Sequence, residues 1–136
     1  MGKYESVLKF RNYTVNEIYF KRNENFKSNE DKTPIDIEIL PKANIEDNLL
    51  NIILMVKIFN NAEEKNYPFE MNIKITGEFE TKGDEPRKFI KNAIAIMYPY
   101  IRAIVSTYTA NANINALILP AINVNKLIDD QEEKKD

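Results

Sequence analysis

The hydrophobic period of the chain changes along its length, from two residues in the first half to three or four in the second. Residues 35–39 alternate between isoleucine and an acidic residue, and residues 69–80 alternate between apolar and polar types. Residues 13–20 are rich in β-branched and aromatic side chains, and residues 49–59 are apolar on both parities. These patterns predict four strands, of which the one over residues 49–59 is covered on both faces.

Two residues interrupt the strand patterns. Pro41 is expected to end the second strand, because proline cannot donate to a ladder of hydrogen bonds. Gly77 lies on the apolar parity of the fourth strand, where a bulge or close packing is expected. Since the links between the strands are short, we expect an antiparallel meander.

The second half is predicted to form one long helix. Asp84 as the N-cap, followed by Glu85 and Pro86, is typical of a helix start. Pro99 removes a backbone donor inside the periodic region, so we expect a kink or a new helix start there. One apolar stripe at helical spacing is expected to cover the sheet, and it comprises Ile90, Ile94, Met97, Ile101, Val105 and Tyr108.

An extended segment and a charged end follow the helix. Residues 114–124, here called the connector, are mostly apolar. A short last helix is expected to begin at Leu127, and residues 129–136 are expected to form a charged, solvated tail. We therefore predict an α+β fold with a four-stranded antiparallel sheet, a long kinked helix, an extended connector and a short C-terminal helix. Residues 1–128 are expected to form a single domain.

A second apolar stripe lies on another side of the long helix. One sheet cannot cover two sides of a helix, so this stripe lies either under the connector or against a second copy of the chain. If the stripe forms an oligomer interface, the residues of that interface are Phe89, Ile96, Tyr100, Ala103 and Thr107.

The residue types that are missing narrow the function. The sequence has no His and no Cys, which excludes Cys/His zinc sites, thiol nucleophiles and His-dependent triads. Only three glycines are present and no phosphate-binding motif, so no cofactor and no metal are expected. A net charge of −2 argues against general nucleic-acid binding. No long apolar run and no signal peptide are recognised, so we expect a cytoplasmic protein that is not an enzyme and does not insert into membranes.

Two sequence segments resemble a known family. Residues 98–102 read Tyr-Pro-Tyr-Ile-Arg, and residues 117–123 read Leu-Ile-Leu-Pro-Ala-Ile-Asn. Their order and spacing, after a series of strands, resemble the SecB family of export chaperones. The resemblance implies an ATP-independent holdase that binds unfolded or presecretory polypeptides and assembles into dimers or tetramers through its helices. It also implies the SecA motor as a possible partner.

Apolar side chains near the strand ends and in the connector are candidates for client binding. Together they could line a groove beneath the connector, because a holdase needs broad apolar surface with little demand on shape. We expect Leu117→Asp or Leu119→Asp to weaken client binding while leaving the fold. The candidates are Tyr19, Phe20, Phe26, Tyr67, Phe69, Ile114, Leu117, Leu119 and Ile122.

Acidic side chains on the polar faces of two strands are candidates for partner docking. They form either an ordinary solvated face or a patch for a basic partner, and nearby lysines dilute their charge. Two other functions stay open: a SecB-like chaperone dedicated to one client such as an antitoxin, and an interaction or scaffold protein on the same fold. The docking candidates are Asp36, Glu38, Glu70, Glu78 and Glu80.

Overall fold

The structure, a computed structural model, describes residues 6–28, 34–115 and 117–134. Within these residues the chain forms one antiparallel sheet, three α-helices and a short 3-10 helix. The strands are β1 (Val7–Arg22), β2 (Ile37–Glu46), β3 (Leu49–Ile58) and β4 (Phe69–Lys82). The helices are α1 (Ala62–Lys65), the 3-10 helix Pro86–Phe89, α2 (Ile90–Asn111) and α3 (Val124–Lys134).

The strand order differs from the predicted meander. The strands lie in the order β1-β4-β3-β2, so β1 pairs with β4 and not with β2. Strand lengths explain the difference, because β1 has 16 residues and β4 has 14, whereas β2 has only 10. The long first strand therefore finds its full complement of backbone partners on β4. The prediction of four antiparallel strands is confirmed, but the meander holds only for β2, β3 and β4.

Two irregularities in β1 keep its apolar side chains on one face. The register with β4 shifts between Phe10 and Asn12 and again between Val15 and Glu17. Each extra residue changes the parity of the strand. As a result the apolar residues of β1 that pair with the buried parity of β4 follow at spacings of two or three, and they are Leu8, Phe10, Tyr13, Val15, Ile18 and Phe20.

Pro41 lies inside β2 rather than at its end, paired with Leu54 of β3. The predicted end at this residue is wrong because β2 is an edge strand, and an edge strand tolerates a missing donor on its open side. β3 is buried on one face only; its opposite parity is half-buried or exposed, so the predicted cover on both faces is also wrong.

The core lies between the sheet and α2, which packs over β3 and β4. Ile94, Met97, Ile101 and Val105 are fully buried, as the first stripe predicted, whereas Tyr108 is 37% exposed. Gly77 of β4 faces the side chain of Met97 on α2. A Cβ atom at Gly77 would lie 2.7 Å from the Sδ of Met97. Close packing therefore explains this glycine, and the bulges lie in the neighbouring strand.

The helices begin and end at residues that differ in several places from the prediction. Glu85, not Asp84, occupies the cap position, and α2 runs without a new start through Pro99. Lys88 Nζ lies 3.1 Å from Asp84 Oδ1. This bond and the Glu85 amide lower the pKa of Asp84. α3 begins at Val124, before the predicted Leu127, and extends through the charged residues 129–134. Among the described residues, no helix is long and apolar enough to cross a membrane.

Candidate functional site

Four polar side chains on one side of α2 hold the connector against the helix. The hydroxyl of Tyr98 donates to the Pro120 carbonyl at 2.7 Å, and Arg102 Nε donates to the Leu119 carbonyl at 2.9 Å. Ser106 Oγ donates to the Leu117 carbonyl at 3.0 Å, and the Leu117 amide donates to Thr109 Oγ1 at 2.9 Å. We call Tyr98, Arg102, Ser106 and Thr109 the hydrogen-bonding row. The row fixes the path of residues 117–123, which belong to no helix or strand.

The spacing of the row explains its geometry. Its members follow one another at intervals of four, four and three residues, which places them on one side of a helix. An arginine inside an apolar helix can form an ion pair, lie on the helix surface or act at a subunit interface, but Arg102 donates to a backbone carbonyl of its own chain. Polar residues at helical spacing inside an apolar helix were the signal that could have identified the row.

Two members of the row, Tyr98 and Thr109, are buried. Tyr98 is almost fully buried, and burial raises the pKa of its hydroxyl, which the charge of Arg102 partly opposes. The tyrosine therefore stays protonated and keeps its role as donor at neutral pH. Thr109 is fully buried and also donates to the Val105 carbonyl at 2.8 Å, so its hydroxyl is satisfied on both sides.

The second apolar stripe of α2 lies on the opposite flank of the helix from the row. The connector does not cover Tyr100, Ala103 and Thr107, because all three are exposed, so that alternative is wrong for these residues. Ile96 is half-buried, Tyr100 is 37% exposed, and Ala103 and Thr107 are exposed. Phe89 is a correction to the predicted interface, because it is buried in the core and cannot reach a second chain. Ile96 packs against the core with part of its surface, and Tyr100, Ala103 and Thr107 remain exposed.

This flank continues onto β1. The rings of Tyr13 and Tyr100 have centroids 4.6 Å apart, and those of Phe20 and Tyr108 are 5.2 Å apart. A groove of about 620 Å³ lies between the strand and the helix, lined by Phe20, Ala103, Ile104, Thr107, Tyr108, Asn111 and Ala112. Nearby side chains of β1 on the same face are also exposed, and they are Tyr13, Val15 and Ile18.

The predicted client-binding residues do not form one groove. Phe69 and Leu119 are buried in the core, where no client can reach them. Leu119→Asp would therefore place a carboxylate in the core and disturb the fold, so the expectation for this variant is wrong. Tyr19 lies on the face of the sheet away from α2, and Phe20 lies on the β1 flank of α2. Two more, Phe26 and Tyr67, are half-buried in loops.

The connector holds the remaining candidates. Ile114, Leu117 and Ile122 are half-buried and pack against the core with part of their surface open. Sequence reasoning missed Ile118, whose side chain is 69% exposed, the largest value among the exposed large apolar residues described. Its parity opposite to Leu117 and Leu119 was the available signal. The connector thus presents apolar surface beside residues that anchor it.

Asp36 is separated from the other docking candidates by its contacts. Its carboxylate accepts a hydrogen bond from Tyr67 Oη at 3.0 Å and lies 3.7 Å from Lys65 Nζ. The hydrogen bond from Tyr67 to this carboxylate raises the pKa of the tyrosine. Asp36 therefore ties the start of β2 to the loop before β4 and offers little free charge to a partner.

The other docking candidates lie on the sheet face away from α2, here called the outer face, and are Glu38, Glu70, Glu78 and Glu80. They do not form a purely acidic patch. Glu38 pairs in register with Lys57, and Arg11 Nη1 lies 2.6 Å from Glu80 Oε2. Glu70 and Glu80 are ten residues apart on one strand, so they are separated by roughly 33 Å. The outer face therefore carries interspersed charges of both signs.

Comparisons with known proteins agree with this architecture. Residues 7–135 match the SecB family, described as preprotein translocase subunit SecB. An uncharacterized protein of Methanocaldococcus jannaschii, MJ0357, is 35% identical over 137 residues, which cover 96% of this chain and 88% of that protein. The chain therefore belongs to the SecB family. SecB-like chaperones are non-catalytic, and membership supports a chaperone-type role.

Two solved structures share the fold. The first is the SecB-like chaperone Rv1957 of Mycobacterium tuberculosis in complex with a ChAD peptide from the HigA1 antitoxin, with a TM-score of 0.64, 14% identity and coverage of 85% of this chain and 88% of that one. The second is a protein of unknown function from Streptococcus agalactiae, with a TM-score of 0.53, 12% identity and coverage of 86% and 99%. At these identities the likeness concerns the fold.

Proposed function

We propose that this protein is a cytoplasmic, ATP-independent holdase that binds unfolded polypeptides through its connector. The observation that carries the proposal is the 69% exposure of Ile118 on a segment held in place by the hydrogen-bonding row. Half-buried Ile114, Leu117 and Ile122 extend this apolar surface. Apolar burial stabilises a complex at about 25 cal/mol per Å² whatever the client sequence, so the surface suits many unfolded chains.

The class of client follows from the family and from the outer face. Family membership supports presecretory polypeptides as clients and export as the pathway. The mixed charges of the outer face favour a second candidate, a chaperone dedicated to one client, because they offer no uniform acidic patch to a basic segment of the SecA motor. The structural neighbour that holds an antitoxin peptide supports the same candidate.

We also propose that the β1 flank of α2 joins copies of this chain into a dimer or tetramer. Exposed Tyr100, Ala103 and Thr107, together with Tyr13 and the other exposed apolar residues of β1, make a continuous apolar surface on both elements. Such a surface is costly in a monomer and is typical of a subunit interface. The groove beside Tyr108 gives a partner side chain a place to pack.

The absence of tryptophan from this chain makes client binding directly measurable. A reduced and alkylated, tryptophan-containing polypeptide that stays unfolded is titrated with the protein in the absence of nucleotide. The proposal predicts a blue shift of the client tryptophan, because its environment becomes apolar. The same polypeptide with its disulfides intact and its fold preserved serves as the control and is expected to show no shift.

The same titration separates the alternative functions. An unchanged client spectrum at a large excess of protein would contradict the holdase and favour a scaffold protein on the same fold. Binding of one client and of no other unfolded polypeptide would favour the dedicated chaperone. Ile118→Ser is expected to weaken the interaction, whereas Ser28→Ala, an exposed change beyond β1, is not.

A further inference from the structure

The connector is anchored from one side by a single helix. Leu117 is held at both its amide and its carbonyl, and the carbonyls of Leu119 and Pro120 are held as well. The described residues 117–123 belong to no strand, so no ladder of backbone hydrogen bonds fixes their path. The side chains of the hydrogen-bonding row replace such a ladder.

The anchors surround Ile118, the most exposed of the large apolar residues that the structure describes. Ile118 lies between Leu117, with both backbone groups bonded, and Leu119, whose side chain is buried in the core. The backbone on both sides of Ile118 is therefore held in place, while the residue itself stays 69% exposed. A contact surface that is fixed before binding costs less ordering entropy when a client arrives.

We propose that Tyr98, Arg102, Ser106 and Thr109 are positioning residues, which hold the connector in its client-binding shape and so present Ile118 to the client. This inference rests on the proposed function, since it concerns the same surface. It assigns to the arginine and the first tyrosine of the Tyr-Pro-Tyr-Ile-Arg segment a role that involves no direct contact with the client. Their effect on binding passes through the connector backbone.

The test is a double-mutant cycle in client affinity. The tryptophan-containing unfolded polypeptide is titrated against wild type, Arg102→Ala, Ile118→Ser and the double variant. Removing a hydrogen bond donated by a charged group should weaken binding roughly tenfold in the wild-type background. In the Ile118→Ser background the same change should have little effect, because the contact that the arginine positions is already missing. Arg87→Ala, an exposed arginine on the 3-10 helix, is the matched control and should bind like wild type.

A second pair of variants keeps the test decisive if Arg102→Ala folds poorly. Ser106→Ala removes the donor to Leu117, and Ser106→Thr retains a hydroxyl at the same position. The first should weaken client binding several-fold and speed amide exchange at Leu117, and the second should restore both. Thermal unfolding measured in parallel checks that each variant is folded. A purely structural role would lower the unfolding temperature without coupling to Ile118.

The outcomes distinguish this inference from the proposed function. If wild type binds the client and Arg102→Ala and Ser106→Ala bind equally well, or if their effects add fully to that of Ile118→Ser, the positioning role is overturned and the holdase stands. If wild type binds no unfolded polypeptide, the proposed function fails and this inference fails with it. Coupled losses of affinity support both.

Discussion

The two flanks of α2 differ in what covers their side chains. On one flank, Tyr98, Arg102 and Ser106 donate hydrogen bonds to the connector, so the chain covers its own helix. On the other flank, Ala103 and Thr107 are exposed, and Tyr100 meets the rings of Phe10 and Tyr13 of β1. Both flanks belong to a helix that packs on the sheet through a third side.

The difference shows how a single helix can serve two contacts. A flank built from polar side chains specifies one segment, because each donor must find its acceptor at a defined distance. A flank built from alanine, threonine and aromatic rings specifies little beyond an apolar partner, which suits a second copy of the same surface. The polar flank therefore supports the connector, and the apolar flank is the proposed site of assembly.

Ala103→Asp should produce the largest effect, on the apolar flank. An unpaired carboxylate buried at a subunit interface costs about 3–5 kcal/mol, which would separate the copies at micromolar concentration. Light scattering should show the mass of one chain, 15.9 kDa, for the variant and a multiple for wild type. Ala95→Asp, also exposed on α2, is the matched control and should keep the wild-type mass. Equal masses for wild type and Ala103→Asp would contradict the assignment of this flank.

Gly77→Ala tests the third side of α2, which packs on the sheet and so sets the position of both flanks. The new methyl group would lie 2.7 Å from Met97 Sδ and 2.9 Å from a ring carbon of Phe79, so these side chains must shift. Such overpacking should lower the free energy of unfolding by about 1–3 kcal/mol in denaturant titrations. In a Met97→Ala background the same change should cost less, since only the ring of Phe79 then remains as a close neighbour. A full cost in both backgrounds would mean that Met97 does not set the approach.

Thr109→Val breaks the polar flank while preserving its shape. The change leaves the Leu117 amide without its acceptor, so we expect a loss of about 1–2 kcal/mol in the free energy of unfolding. Thr107→Val on the apolar flank, where the threonine side chain is exposed, should change stability by less than about 0.5 kcal/mol. Equal effects at the two positions would remove the distinction between the flanks.

Arg11→Ala should give the smallest effect, because it lies on the outer face away from both flanks. Its ion pair with Glu80 is about half exposed, with side-chain exposures of 52% and 36%. Exposed pairs of this kind contribute about 0.2–1 kcal/mol, and salt screens them. Denaturant titrations at low and high salt should therefore show a small loss that disappears at high salt. A change in oligomeric mass would contradict the placement of the interface on α2.

Much of the fold can be predicted from the hydrophobic period of the sequence and from a few glycine and proline residues. The periods of two and of three to four identify the strands and α2, and the spacing of apolar residues alone reveals the two stripes of the helix. The position of β1 in the sheet could not be predicted in this way, because its pairing depends on matching strand lengths and on two bulges that the hydrophobic pattern does not reveal. The prediction that β2 ends at Pro41 was wrong for a related reason. Proline is tolerated in an edge strand, and the sequence pattern does not reveal which strand lies at an edge.

The candidate site was less predictable than the fold. Leu119 is as apolar as Ile118, and only the path of the connector decides that the first is buried and the second is exposed. That path depends on hydrogen bonds between side chains and backbone over 8 to 22 residues, which no local propensity encodes. The Tyr-Pro-Tyr-Ile-Arg segment identified the family by resemblance, but the partners of its tyrosine and arginine required the structure.

The most direct measurement is suppression of aggregation by the wild-type protein without nucleotide. A slowly folding, aggregation-prone polypeptide is diluted from denaturant with increasing amounts of this protein, and light scattering is followed over time. If the chain is a holdase, scattering falls in proportion to its amount and is abolished near a stoichiometric ratio, because bound client is removed by mass action. Unchanged aggregation at a several-fold excess would contradict the proposed function.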